Sequence, residues 1–155
     1  MERSFQEYYP QQFRHCYGCG TENKHGLQLK SYWDGELSVA VFQPEQHHTA
    51  VPGVVYGGLL ASLIDCHSTG TAAAAVYRAE GRDQGTEPVL RFVTASLHVD
   101  YLHPTPLGPE IELHAEVTEI KGKKVVIKSQ VKVEGKITAK GKVVAVQIPE
   151  NFSFR

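Results

Sequence analysis

From Val89 onward, apolar and polar residues alternate with a period of two. In the first run Val89, Val93, Ala95, Leu97, Val99 and Tyr101 alternate with Leu90, Phe92, Thr94, Ser96, His98 and Asp100. The runs Ile111 to Val117, Val125 to Val133 and Ile137 to Ala145 repeat the pattern against mostly charged and polar partners. Successive side chains of a strand point to opposite faces, so this predicts four antiparallel strands with one face in a core and the other wetter. Lys121–Gly122 and Glu134–Gly135 mark tight hairpin turns. An earlier strand is predicted over Glu36–Phe42, where Val and Phe are frequent. Between it and the later strands, Gly57 to Gly81 is Ala/Leu-rich, free of proline and closed by a glycine, which predicts one long helix.

The remaining segments carry no such period. Residues 1–15 read as a polar, aromatic-containing lead-in, residues 16–35 as a Gly-rich loop, and Pro44 to Pro52 as a second loop. One strand, one long helix and then an antiparallel meander describe an α+β layer, a sheet wrapped around a single helix, with the 155 residues forming one domain. Such a sheet has exposed edges, and pairing edges between subunits is one way to cover them.

Composition narrows the partners. Hydrophobic residues make up 41% of the chain and charged residues 21%, as in ordinary globular proteins. With a net charge of −1 and no basic stripe interleaved with aromatics, nucleic acid is not an expected partner. The first 15 residues lack the apolar core of a signal peptide, and the Ala-rich helix is broken by Asp65, His67 and Ser68, so no membrane span is expected. Three cysteines, Cys16, Cys19 and Cys66, exclude a fully paired disulfide framework and fit reduced thiols in the cytoplasm.

Asp65 stands out because a carboxylate midway along an Ala/Leu helix is costly to bury without partners. Its neighbours at helical spacing (Gly58, Ala61, Ser62, Ser68, Thr69 and Ala72) are all small, which suits close approach by a ligand or a second backbone. A solvated Asp, or one paired with an Arg of another subunit, is the alternative. Gly57 and Gly58 open the helix, where backbone amides lack intrahelical acceptors and the dipole is positive. They either receive a developing oxyanion or merely make the turn.

The segment HTAVPGVVYGGLLASLIDC, His48 to Cys66, resembles the hotdog-fold acyl-CoA thioesterases, in particular their phenylacetate-type and human mitochondrial acyl-CoA thioesterase branch. His48, Pro52, Gly53, Gly57, Gly58 and Asp65 match that branch's motif, and CYGCGTENKHGL and TASLHVDYLHPTPLG resemble its opening and its second strand and turn. The resemblance implies a hotdog fold and hydrolysis of acyl-CoA thioesters at a site between two subunits of a homodimer or dimer of dimers. It makes Asp65 the general base or nucleophile, Gly57 the oxyanion donor and Gly58 a substrate contact. Thr94 matches the position that bonds the catalytic water or carboxylate, with His48 and Tyr56 flanking the entrance. Coenzyme A is then part of the substrate, and neither a separate cofactor nor a metal is expected. One departure matters: Tyr56 stands where the family has a His, and a phenol is a far poorer base at neutral pH.

Lys123 and Lys124, beside Lys121, either receive the coenzyme's phosphates or solubilise a turn. Cys16 and Cys19, near His15 and His25, suggest half of a zinc knuckle; with no second Cys pair in sequence, a reduced loop pair is expected instead. Two rival readings follow. A hydratase of the same fold needs a loop His, echoed by His48, and a non-catalytic acyl-CoA binding module is suggested by Tyr56.

Overall fold

The computed structural model describes residues 2–152. Two short strands, β1 (Ser31–Asp34) and β2 (Leu37–Phe42), precede helix α1 (Gly57–Ala79). Then follow β3 (Phe92–Tyr101), β4 (Ile111–Lys121), β5 (Lys124–Val133) and β6 (Lys136–Gln147). All pairings are antiparallel, in the order β1-β2-β4-β5-β6-β3. The sheet wraps one long helix, as the sequence reading predicted.

The helix stops where its chemistry says it should. Gly81 takes φ +66°, and the amides of Gly81 and Arg82 return to the carbonyls of Arg78 and Tyr77. That is a left-handed glycine cap with both of its hydrogen bonds. Leu60, Leu63 and Ile64 pack on Ile111, Leu113, Val125, Ile127 and Val143, all of them almost wholly buried. Gly141 of β6 permits this approach, because a Cβ there would stand 2.6 Å from Ile64 Cγ2 and 2.8 Å from Ser129 Oγ.

Four expectations change. Residues 16–35 are not all loop: Ser31–Asp34 form β1, which pairs with β2 through a turn whose Gly35 sits at φ +62°. The lead-in, read as polar and without a period, forms two 3-10 turns at 5–8 and 11–13 that lay Phe5 and Gln6, both buried, against the helix. The later strands are not a simple meander, since β3 pairs with β6 and lies at the sheet edge, beyond the β4-β5-β6 run. Finally, bulges interrupt the alternation at residues 95, 118 and 138. A bulge inserts one unpaired residue and flips the phase of everything after it. Thr94 therefore pairs with Ala145 and Leu97 with Val143, so Thr94 and Leu97 share the helix-facing side although they are three residues apart.

The other side of the helix holds a polar network. His67, fully buried, takes Ser31 Oγ at 2.8 Å on Nδ1 and faces Ser38 through Nε2, its carbonyl at 3.3 Å. Gln6 fixes Ser31 in turn, accepting its amide at 2.8 Å and donating to its hydroxyl at 3.2 Å. Burial, with His114 adding a little, pushes the imidazole down to about 4. A lowered folded-state pKa means the unfolded chain takes the proton first, so this stability is complete above the unfolded value near 6.5 and fades as pH falls toward 4. The loss is roughly 3 kcal/mol in all. Melting temperature should drop steeply across that window, and His67→Gln should flatten the drop; an unchanged slope in the variant would remove His67 as its source.

Candidate functional site

Asp65 is half-buried on α1, and its Oδ1 accepts a hydrogen bond from the Thr94 hydroxyl. The bulge at residue 95 is what turns Thr94 toward the helix, since it shares that face with Leu97, Val99 and Tyr101. Thr69, one turn on, donates to the Asp65 backbone carbonyl at 3.1 Å.

At the start of the helix the Tyr56 side chain makes no capping bond, leaving the first-turn amides without a side-chain acceptor from that residue. Gly57 lies against the ring of Tyr101, 3.3 Å from where a Cβ would be, and its carbonyl accepts the Tyr101 hydroxyl at 2.7 Å. Burial, with Tyr56 nearby, raises the Tyr101 phenol and keeps it protonated as that donor. Tyr56 is itself mostly exposed and lays its ring over Gly58, where a Cβ would meet a ring carbon at 2.4 Å.

His48 supports this entrance. Its Nδ1 accepts the Glu45 amide at 2.9 Å, its carbonyl accepts the Tyr56 amide at 2.9 Å, and its ring packs on Phe42. Desolvation, aided by His47, holds its pKa below the ordinary histidine value against the pull of Glu45. A neutral imidazole accepting at Nδ1 carries its proton on Nε2. His48, Tyr56, Gly58, Leu59 and Ser62 border one groove of about 880 Å³.

Asp65 and Gly57 are not brought together within the chain, since eight residues of helix separate them by about 12 Å. Both are instead tied to the edge strand β3, Asp65 through Thr94 near its start and Gly57 through Tyr101 at its end. Lys123 and Lys124 stand apart at the β4–β5 turn. Lys124 pairs with Glu119 at 3.3 Å, and the Lys123 carbonyl accepts the Gln147 amide at 2.8 Å. Since Gln147 faces Phe92, that turn shares the Thr94 end of the sheet, two strands from β3. Neither lysine borders the groove.

Two features escaped the sequence reading. Tyr101 was only a strand residue there; its position at the end of the run, level with the helix start, becomes visible once β3 is paired. Cys66, next to Asp65, meets Cys16 with 3.6 Å between the sulfurs, a contact across 50 residues.

Thr94→Val removes the only side-chain donor that the structure gives the Asp65 carboxylate among the described residues. It should cost about 1–3 kcal/mol in a denaturant titration, while Thr94→Ser should keep most of the stability. Equal losses in the two variants would assign the effect to packing.

Comparison with known proteins bears on this arrangement. Residues 52–145 match the model of the thioesterase superfamily, a span that holds Tyr56, Gly57, Gly58, Asp65 and Thr94. A thioesterase superfamily protein from Shewanella loihica is 45% identical, with a TM-score of 0.69 over 91% of this chain and 100% of that one. Acyl-coenzyme A thioesterase THEM4 of Xenopus laevis is 37% identical over 61% of this chain but only 36% of its own length, so the match spans about a third of that relative. A Streptococcus mutans protein solved bound to acetyl CoA shares the fold alone, at 13% identity and a TM-score of 0.62 over 77% of this chain and 88% of that one. With more than half its length matched by the family model, and with a sheet wrapped around one helix like that of its structural relatives, this hotdog-fold chain belongs to the thioesterase superfamily.

Proposed function

We propose that this chain hydrolyses acyl-CoA thioesters, using Asp65 of one copy and the Gly57 amide of another. The observation that carries the reading is the pair of ties to one edge strand, Asp65 to Thr94 and Gly57 to Tyr101. With bulged residue 95 occupying no rung of the ladder, Thr94 and Tyr101 lie three rungs on either side of His98, which is their midpoint. Antiparallel pairing of β3 with its two-fold copy about that midpoint sets Thr94 of one chain opposite Tyr101 of the other. Asp65 then approaches the partner's helix start. Exposed Val93, Leu97 and Tyr101, at 43%, 39% and 53%, give this edge apolar surface to bury. Superfamily membership and the activity named for the Xenopus relative support the reaction; the acetyl CoA held by the Streptococcus fold neighbour supports the ligand class.

The chemistry follows from the parts. The thioester carbonyl rests at Gly57, whose N–H takes up the charge that develops on oxygen; one such donor contributes roughly 3 kcal/mol. Asp65 either takes a proton from water as its oxygen attacks the carbonyl carbon, or attacks directly to give an acyl-enzyme that water then cleaves. In both routes the C–S bond breaks and the coenzyme leaves as thiolate, to be protonated. Thr94 holds the carboxylate in place for either role. The acyl group lies in the groove beside Gly58, walled by Leu27, Phe42 and Leu59. Tyr56, exposed at the rim, orients substrate by hydrogen bonding, the role left to a phenol where an imidazole base is lacking. The coenzyme's phosphates reach Lys123 and Lys124 at the Thr94 end of the sheet. The three free thiols fit a reducing compartment, the cytoplasm.

Asp65→Asn should lower turnover by roughly a hundredfold or more, with the Michaelis constant and melting temperature little changed. A fully active but destabilised variant would make Asp65 structural and favour a non-catalytic acyl-CoA binder. Loss of an enoyl double bond in place of thiol release would indicate hydratase chemistry. Light scattering should show a dimer or larger, and an active monomer at assay concentration would defeat the shared site. Charge reversal at Lys123 and Lys124 should raise the Michaelis constant for CoA esters several-fold and spare pantetheine thioesters, which lack the nucleotide phosphates.

A further inference from the structure

We infer that Cys16, Cys19 and Cys66 form a three-thiolate site for a thiophilic metal ion, zinc in the ordinary case. Their sulfurs all lie within 4.8 Å of one another, and Cys16 and Cys66 are 3.6 Å apart. Zinc–sulfur bonds of about 2.3 Å in a tetrahedron place sulfurs about 3.8 Å apart, inside that range. The third ligand that the Cys-x-x-Cys segment lacks in sequence comes from the helix.

The surroundings are fitted to this convergence. The Gly20 amide closes the turn onto the Cys16 carbonyl at 2.8 Å. Side chains are excluded where the turn meets the helix: a Cβ on Gly18 would come within 2.3 Å of Cys66 Sγ, and one on Gly20 within 2.5 Å of the Cys16 amide. Cys19 and Cys66 are buried, and all three thiols border a cavity of about 370 Å³ with Tyr9, Thr69 and Phe92. Three protein donors leave one tetrahedral position for water or a small donor from that cavity. The softness of three sulfur ligands selects zinc or copper(I) over magnesium or calcium. Occupied, the site ties the 16–20 turn to α1 at the residue after Asp65.

The reduced, chelator-stripped full chain should be titrated with cobalt(II). One equivalent should produce thiolate-to-metal charge-transfer absorption that zinc then abolishes, and zinc should raise the melting temperature. Cys66→Ser should weaken zinc binding at least tenfold, and Asp65→Asn should leave it unchanged whatever happens to hydrolysis. Because the wild-type titration needs no variant, a misfolded Cys66→Ser leaves the test intact. Absence of the absorption band and of any thermal shift would overturn the site. A band that survives Cys66→Ser would overturn it as well, by reducing it to the Cys16–Cys19 pair, as would recovery of a stable Cys16–Cys66 disulfide with no metal uptake after reduction.

Discussion

Helix α1 is surrounded on nearly every side, and this is possible only where glycine removes a side chain at the points of closest approach. Gly141 admits Ile64 to the sheet, and Gly70 admits Gln6 and Tyr9 from the N-terminal turns, each of them 3.1 Å from where a Cβ would be. A helix enclosed in this way cannot rely on one apolar stripe. Leu63 and Ile64 meet the sheet, while His67 and Thr71 meet β1 and β2 through hydrogen bonds that leave no ring nitrogen of His67 unpartnered. The polar network stands in for apolar packing on that side, at the expense of stability in acid.

An enclosed helix also makes the position of Asp65 meaningful. The carboxylate emerges beside the start of β3, an edge strand with a partner on one side only, and its hydrogen bond to Thr94 joins helix to edge. The opposite end of the same strand holds the helix start through Tyr101 and Gly57. Strand β3 therefore carries both halves of the proposed chemistry but keeps them about two helical turns apart. Pairing of that edge with a second copy resolves the separation, and the apolar side chains left exposed along β3 have the character such pairing buries.

The N-terminal segment adds a second means of fixing the same helix. Phe5 and Gln6 lie against it on one side, and the Cys16–Cys19 turn meets Cys66 a single residue from Asp65. A bound metal at the three thiols would join sequence-distant parts in a small region, where loop closure is costly and a cross-link correspondingly effective. Hydrolysis and metal binding remain physically separate proposals, since the carboxylate points to β3 while the thiols border the cavity.

Periodicity alone determined a good deal here. Strands β4 and β5, most of β6, helix α1 with its glycine cap, and the hairpin turns at Gly122 and Gly135 all follow from local patterns that the fold does not override. Asp65 was legible too, as an acid set among small residues where a carboxylate has no cheap place. The short strand β1 was not, because four residues offer too little alternation to distinguish a strand from a loop. Nor was the side of the sheet that Thr94 faces: a single bulged residue reverses the phase, and sequence gives no count of where a partner strand skips one. The pairing of β3 with β6, the contacts of Ser31 and Ser38 with His67, and the meeting of Cys66 with Cys16 and Cys19 depend on which distant segments lie side by side. Only the folded chain decides that, because the energy settling it resides in contacts between elements and not within any one of them.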